Sequence, residues 1–147
     1  MGSSEFVYVI YVATTPEKLW KALLDAEFTR KYWGHDNVSD WRPGSPWEHR
    51  RNDEAQTVDV VGEVLESAPP KRLVMTWADP GDRTNRSRRS KVTFELETVA
   101  DMTRLTVTHE ALDVEMFRKV SSGWPRVLSS LKSLLETGNA LQTWAGR

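Results

Sequence analysis

The segment SSGWPRVLSSLKSLLETG, residues 121–138, decides how the rest of the chain is arranged. Its apolar residues recur at steps of three and four, so an α-helix places them on one stripe, with serine, lysine and glutamate on the other faces. Ser121 or Ser122 suits the start of this helix, Pro125 its first turn and Gly138 its C-terminal cap. The stripe comprises Val120, Trp124, Val127, Leu128, Leu131, Leu134 and Leu135. A helix with one apolar face needs a large apolar partner.

The chain before this helix reads mainly as β-strands. Residues 6–12 are β-branched and aromatic and are apolar on both faces, which predicts a strand at least partly covered on both sides. Thr14-Thr15-Pro16-Glu17 predicts a helix start, and residues 28–33 predict a second short helix that ends at Gly34. Further strands are predicted at 37–41, 47–51, 57–67, 72–77, 90–99 and 102–111, followed by a short helical piece at 114–119. One strand, two helices, about six strands and a long helix predict an α+β fold.

Composition excludes several classes of protein. The length of 147 residues suits one domain, expected to span residues 1–147 with a core at 6–140. The absence of cysteine excludes disulfides, thiolate metal sites and a cysteine nucleophile. A formal net charge of −1 argues against a nucleic-acid partner. No apolar run approaches the ~20 residues that span a bilayer, so we expect no membrane insertion and a cytoplasmic protein.

No motif points to a cofactor or to a metal. Phosphate loops, nucleophile elbows, zinc spacing and dinucleotide fingerprints are all missing from the sequence, which makes catalysis less expected than binding. His35 and His49 lack metal-ligand spacing and lie in polar, turn-rich sequence, so we expect both on the solvated surface. One cluster of basic residues is expected to lie on a solvated loop and strand edge. The alternative is that it attracts an anionic ligand. It comprises Arg83, Arg86, Arg88, Arg89 and Lys91.

Alternation along the strands predicts which side chains face the helix. His109 falls on an apolar position near the end of its strand. It is expected to be a hydrogen-bonded structural histidine, a polar anchor for a ligand, or a general base. Gly62 marks a bulge or a close approach within its strand. The inward set comprises Tyr8, Ile10 and Val12, then Leu73, Met75 and Trp77, then Val92, Phe94 and Leu96, and finally Leu105, Val107 and His109.

Several stretches resemble one protein family. They are TTPEKLW (14–20), YWG (32–34), SDW (39–41) with GS (44–45), GEVLE (62–66) before PPKRL (69–73), and GWP (123–125) running to LETG (135–138). Together they resemble the bacterial proteins named after the activator of the Hsp90 ATPase, AHSA1-like members of the START-like or Bet v 1-like (SRPBCC) superfamily. The resemblance spans roughly residues 6–140 and implies a helix-grip fold. In that fold a curved antiparallel sheet of about six or seven strands wraps around a long C-terminal helix and leaves a hydrophobic cavity.

The resemblance implies function less specifically, because relatives include lipid and polyketide binders, cyclases, a toxin-sequestering resistance protein and the Hsp90 co-chaperone. We expect a small, largely hydrophobic ligand, lipid-like, aromatic or polyketide-like, held between the sheet and the helix, with a role in stress or toxin response. One alternative is a protein-interaction module with a chaperone or regulator partner, as a monomer or a homodimer. Another is a cyclase or hydrolase that acts on a bound substrate.

The expected ligand-binding residues combine the inward positions with aromatic residues near the predicted opening. Trp41 and Trp47 flank a turn and are expected either to form a lip over the opening or to close an edge of the core. Gly123 is expected to let the helix approach the sheet closely. No catalytic residue, metal ligand or cofactor is expected. The full set is Tyr8, Trp41, Trp47, Met75, Trp77, Phe94, His109, Trp124 and Leu128.

Overall fold

A computed structural model describes residues 4–141, apart from the side chain of Arg86. The elements follow the predicted order, and most bounds agree with the sequence pattern to within a few residues. Two short 3₁₀ turns, Pro80–Asp82 and Arg86–Arg88, lie between the fifth and sixth strands. The main elements are β1 (Ser4–Val12), α1 (Pro16–Leu24), α2 (Ala26–Trp33), β2 (His35–Ser39), β3 (Pro46–Arg51), β4 (Val58–Ala68), β5 (Arg72–Trp77), β6 (Ser90–Val99), β7 (Met102–Leu112) and α3 (Val114–Thr137).

The strands form one antiparallel sheet of seven in the order β1-β7-β6-β5-β4-β3-β2. From β2 to β7 every strand pairs with its neighbour in sequence, and β7 then pairs with β1. Helices α1 and α2 connect β1 and β2, the two edge strands of the sheet. The predicted α+β architecture with a long C-terminal helix is therefore confirmed.

The predicted inner face is correct in register. In the central strands the side chains of Leu73, Met75, Phe94 and Leu105 are almost fully buried, as alternation predicts. The outward face of β1 is covered only in part, as predicted: Val7 is 50% exposed, Val9 46% and Tyr11 39%.

The two short helices are set by their caps. Thr15 precedes α1, and its hydroxyl accepts a hydrogen bond from the backbone N–H of Lys18 over 3.3 Å. At the start of α2 the Asp25 carboxylate accepts a hydrogen bond from the backbone N–H of Glu27 over 2.9 Å. Gly34 ends α2 with a φ of 73°, the left-handed conformation that glycine adopts without strain. Because Trp33 is the last residue of α2, these caps determine its position in the fold.

The terminal helix starts earlier than its serines suggested. α3 is continuous from Val114, and Asp113 caps it by accepting a hydrogen bond from Met116 N–H over 2.8 Å. The prediction that Ser121 or Ser122 caps the helix, with Pro125 in its first turn, is therefore wrong. Proline inside a helix costs about 3 kcal/mol. Burial of the apolar stripe on both sides of this proline offsets that cost, and the stripe keeps its helical spacing from Val120 through Leu131.

Hydrogen bonds connect the C-terminal half of α3 to β1 and to the residue that follows it. Lys132 Nζ donates to the carbonyl oxygen of Tyr11 over 2.7 Å and to Glu136 over 2.7 Å. The Glu136 carboxylate also accepts a hydrogen bond from Ala13 N–H over 2.7 Å. The lysine and then this backbone donor hold the pKa of Glu136 below its usual value. Gly138 ends the helix as predicted, at a φ of 86°.

Gly62 marks a close approach, as its position in β4 suggested. It lies opposite Trp47 across the β3–β4 pair. The Trp47 indole N–H passes over this glycine and donates to the Thr76 carbonyl oxygen over 2.8 Å. A Cβ atom at Gly62 would lie within 3.0 Å of both the Thr76 oxygen and the Trp47 nitrogen. The absence of a side chain at this position lets Trp47 bury itself against the sheet.

Candidate ligand-binding site

A pocket of about 250 Å³ lies between the end of α2, strands β4 and β5, and the first half of α3. Its apolar wall consists of Trp33, Val60, Trp77, Met116, Val120, Gly123, Trp124 and Val127. Its polar rim consists of Asp59, Asp79 and Lys119. Every one of these groups is placed by an element end or a helix face, so the pocket is part of the folded scaffold.

Three tryptophans form the aromatic part of the wall. The ring centroids of Trp33 and Trp124 are 5.4 Å apart, those of Trp77 and Trp124 5.5 Å, and those of Trp33 and Trp77 6.3 Å. Offset and tilted rings at these separations attract one another beyond their area of burial. The three rings therefore pack into a single surface to which three different elements contribute.

Gly123 does not serve the purpose expected of it. A Cβ atom at this position would meet nothing within 4 Å, so the glycine does not mediate close packing of α3 on the sheet. It lies in the pocket wall beside Trp124. The expectation of a close approach at Gly123 is wrong, because the space facing this position is open. The missing side chain leaves room in the pocket.

His109 lies behind the pocket in a complete hydrogen-bond network. The Trp124 indole N–H donates to Nδ1 of His109 over 3.1 Å. The other ring nitrogen, Nε2, lies 2.8 Å from the Ser90 hydroxyl, which donates to the Trp77 carbonyl oxygen over 2.9 Å. With Nδ1 accepting, Nε2 carries the proton and donates to Ser90. Burial lowers the pKa of His109 to about 4, so the ring is neutral at pH 7.

His35 and His49 lie in the interior, and the expectation that they are on the surface is wrong. His35 is 2% exposed and His49 4% exposed, and their rings stack at 3.9 Å. Both ring nitrogens of His35 face oxygen atoms: Trp33 O at 3.1 Å and the Asp59 carboxylate at 2.8 Å. Nδ1 of His49 lies 2.5 Å from the side-chain oxygen of Asn37 on the paired strand. These partners satisfy polar rings that the turn-rich local sequence made look solvated.

The two rim carboxylates differ in their surroundings. Asp59 accepts hydrogen bonds from His35 over 2.8 Å and from Arg51 Nε over 2.9 Å. Partial burial raises the pKa of Asp59, but the hydrogen bonds and the charge of Arg51 outweigh that effect and leave it below its usual value. Asp79 is exposed, and among the described side chains its carboxylate has neither an ion-pair partner nor a hydrogen-bond donor. Lys119, the rim cation, lies 3.9 Å from Glu115.

Two of the nine expected ligand-binding residues, Trp77 and Trp124, line this pocket. Four others join them through ring contacts: Phe94 and His109 touch Trp124, Trp47 touches Trp77, and Trp41 stacks on Trp47 at 6.4 Å. Met75 and Leu128 are buried in the core. Tyr8 is half-buried on β1 and stacks on Phe6, outside the pocket wall.

The sequence pattern did not predict some residues of the pocket. They lie at the ends of elements, or in the segment 114–119 that was predicted as a separate helical piece before the long helix. Trp33 closes α2 just before the left-handed glycine, and its ring lies 4.4 Å from that of His49. Met116 and Lys119 belong to the first turns of α3. A continuous helix from Asp113 would have brought these two residues onto the same face as Val120 and Trp124.

Tyr32 contributes a buried hydroxyl without a partner. Its side chain is fully buried, and its hydroxyl has no hydrogen bond to any described residue. Burial raises the pKa of this phenol well above its ordinary value. The ring lies beside that of Trp33, a residue of the pocket wall, with centroids 6.1 Å apart.

The basic cluster is largely compensated. Arg88 lies 3.6 Å from Asp82, Lys91 lies 3.6 Å from Glu110, and Arg83 lies 3.6 Å from Glu48. Arg83 and Arg89 also line a second pocket, of about 240 Å³, on a different part of the surface. Within residues 4–141, no group of three or more histidine, aspartate or glutamate side chains is arranged to hold a metal ion. No helix in the same part of the chain is long and apolar enough to cross a membrane.

A seven-stranded antiparallel sheet with a long C-terminal helix and an aromatic pocket between them defines a helix-grip protein. The model of the family described as activator of Hsp90 ATPase homolog 1-like protein matches residues 13–136. The chain belongs to this family. Among curated proteins, none matches the sequence with statistical support.

Solved structures show the same fold in proteins of several descriptions. An Aha1 dimer from Colwellia psychrerythraea is 25% identical, with a TM-score of 0.77 over 92% of this chain and 98% of that one. An Hsp90 activator from Plasmodium falciparum is 23% identical, with a TM-score of 0.73 over 89% and 95%. DynU16, described as a putative protein in the dynemicin biosynthetic locus, is 20% identical, with a TM-score of 0.75 over 92% and 48%.

Proposed function

We propose that the protein binds a small, largely hydrophobic molecule in the pocket between the sheet and the first half of α3. The observation that carries this proposal is the aromatic surface of Trp33, Trp77 and Trp124, which faces an open space of about 250 Å³. Ligand pockets typically combine apolar and aromatic walls with a few polar groups, at volumes of ~300–1,000 Å³. The pocket of about 250 Å³ lies just below this range, which suits a compact ligand of one or two rings.

Gly123 supplies a direct test. A leucine at this position would project into the pocket, because nothing lies within 4 Å of a Cβ atom there. The matched control is Ser122→Leu, which adds the same side chain to the adjacent, exposed position of the same helix. Both proteins should fold, since leucine is a better helix former than glycine or serine.

The experiment is a thermal-shift screen of compact aromatic and aliphatic compounds, followed by native mass spectrometry of the hits. A ligand at about a hundred times its Kd stabilises the folded state by about 2.7 kcal/mol through mass action. We expect hits for the wild-type protein and for Ser122→Leu, and none of these hits for Gly123→Leu. If Gly123→Leu binds the same compounds with unchanged affinity, the pocket is not the binding site.

Protein interaction is a second candidate, favoured by the partly exposed outward face of β1. Val7, Val9 and Tyr11 form an exposed apolar row on an edge strand, a feature that proteins often bury in an assembly. The relative from Colwellia psychrerythraea is described as a dimer. Sedimentation at rising concentration tests this role: Val9→Lys should shift a wild-type dimer to monomer, whereas a wild-type protein that stays monomeric contradicts it.

The geometry favours catalysis by His109 less than it favours binding. Both of its ring nitrogens are engaged within the core, and the ring is outside the pocket wall. A general base must reach the proton that it abstracts, directly or through one water. The contacts of His109 suit a residue that holds Trp124 and Ser90 in position behind the pocket.

A further inference from the structure

Asp79 is the free polar group of the pocket rim. It directly follows Ala78, whose backbone pairs with Val61 of β4, so its position is fixed by the end of the sheet. Within the described part of the chain no cation neutralises its carboxylate, whereas the carboxylate of Asp59 is held by Arg51 and His35. An ionised carboxylate accepts hydrogen bonds and donates none, so the group it would bind is a donor, and best a cation.

The aromatic wall that shares the pocket with Asp79 adds to this preference for a cation. The faces of indole rings carry negative potential and attract ammonium groups within about 6 Å, by roughly 0.5–1 kcal/mol at exposed sites. Trp33 is half-buried and Trp77 and Trp124 contribute to the same wall, so a ligand in the pocket contacts indole carbon atoms on one side. Trp124 cannot offer its N–H to a ligand, because that group donates to His109.

Lys119 is the one cation among the residues that line the pocket within the described part of the chain. Its side chain is 64% exposed and lies 3.9 Å from Glu115, one turn earlier on the exposed surface of α3. Charges so exposed are screened by water and salt. We therefore expect Lys119 to weaken, and not to cancel, the attraction of the rim for a cation.

We propose that the pocket selects aromatic amines, with the rings of the ligand against Trp33, Trp77 and Trp124 and its ammonium group at Asp79. This inference rests on the proposed binding function and adds the charge of the ligand to it. Asp79 becomes a specificity-determining residue, and Trp33 and Trp77 contribute to affinity for any ring system.

The test compares three probes of one shape and different charge: naphthylmethylamine, naphthylmethanol and naphthoate, by isothermal titration calorimetry at pH 7. We expect the amine to bind about tenfold more tightly than the alcohol, from one exposed ion pair and one cation–π contact, and the carboxylate to bind most weakly. Asp79→Asn should weaken amine binding about three- to fivefold and leave alcohol binding unchanged. Lys119→Met should strengthen amine binding.

Asp82→Asn is the matched control, because Asp82 lies on the adjacent 3₁₀ turn, pairs with Arg88 and does not line the pocket. It should leave all three affinities unchanged. Binding of the alcohol tests whether the pocket holds a ligand at all. The ratio of the amine affinity to the alcohol affinity tests the charge preference. Equal affinities for amine and alcohol, or an amine affinity unaffected by Asp79→Asn, would overturn this inference and leave the proposed function intact. If no probe binds, both are overturned for ligands of this size.

Discussion

The indole N–H of Trp124 and Nδ1 of His109 are joined by a hydrogen bond of 3.1 Å in a region where His109 is completely buried. This contact connects the wall of the pocket to the far strands of the sheet, because His109 in turn contacts Ser90 of β6. A buried polar network is stabilising only while every member has its partner. The first two predictions concern this network.

The first prediction concerns pH. His109 has a pKa of about 4 in the folded protein, lowered by burial, against about 6.5 in the unfolded chain. The unfolded state therefore binds the additional proton as the pH falls below about 6.5, and the free energy of unfolding decreases towards pH 4. We expect a loss on the order of 2 kcal/mol between pH 7.5 and pH 5 from this residue.

Urea denaturation at the two pH values measures this loss, and His109→Gln serves as the comparison. All other ionisable groups are common to both proteins, so the difference between the two pH dependences isolates His109. The variant should lose less stability on acidification than the wild type. An equal loss in both proteins would show that His109 has an ordinary pKa and is accessible to water.

The second prediction concerns Ser90, whose hydroxyl connects His109 to the Trp77 carbonyl oxygen. Ser90→Ala removes one oxygen atom and leaves a buried N–H and a buried carbonyl group each short of a partner. Such a change costs about 1–3 kcal/mol for each unsatisfied group. Chemical denaturation should show this loss, whereas Ser122→Ala on the exposed face of α3 should be neutral or slightly stabilising. Equal stability of the two variants would contradict the network.

The third prediction concerns the glycine beneath Trp47. Gly62→Ala places a methyl group within 3.0 Å of the Thr76 carbonyl oxygen and the Trp47 indole nitrogen, so the hydrogen bond between them has to break. We expect a loss of about 3 kcal/mol or more in the free energy of unfolding, from displaced backbone and a poorly packed indole. Gly81→Ala is the control, because nothing lies within 4 Å of its added Cβ. A wild-type melting temperature for Gly62→Ala would disprove the close approach.

The sequence predicted the sheet and its inner face well, because alternation and helical spacing are local patterns that burial enforces. Leu73, Met75 and Phe94 lie where parity places them. The end of α3 at Gly138 was also predicted correctly, because a glycine cap is a signal within the local sequence. The start of α3 was misplaced because Pro125 and the two serines form a plausible local start signal. The buried stripe on both sides, a tertiary effect, overrides that signal.

The candidate site was less predictable for the same reason. The interior position of His35 and His49 depends on partners contributed by other elements, above all Asp59 of β4 and Asn37 of β2. Asp59 is 24 residues from His35 in the sequence and Asn37 is 12 residues from His49, so no local pattern identifies these pairs. The role of Gly123 likewise depends on the space between helix and sheet, which no pattern along one element specifies.

The last prediction concerns the buried hydroxyl of Tyr32. It has no hydrogen bond to any described residue, although the side chain is completely buried next to Trp33. Burying a hydroxyl without a partner costs roughly 1–3 kcal/mol, so Tyr32→Phe should keep the packing and remove the cost. We expect the free energy of unfolding to rise by about 1 kcal/mol, measured by urea denaturation. The control is Tyr11→Phe, whose exposed ring should leave stability within about 0.5 kcal/mol. A clear loss of stability in Tyr32→Phe would mean that the hydroxyl has a partner, such as a bound water or a ligand, and would direct the search for that partner to the region behind Trp33.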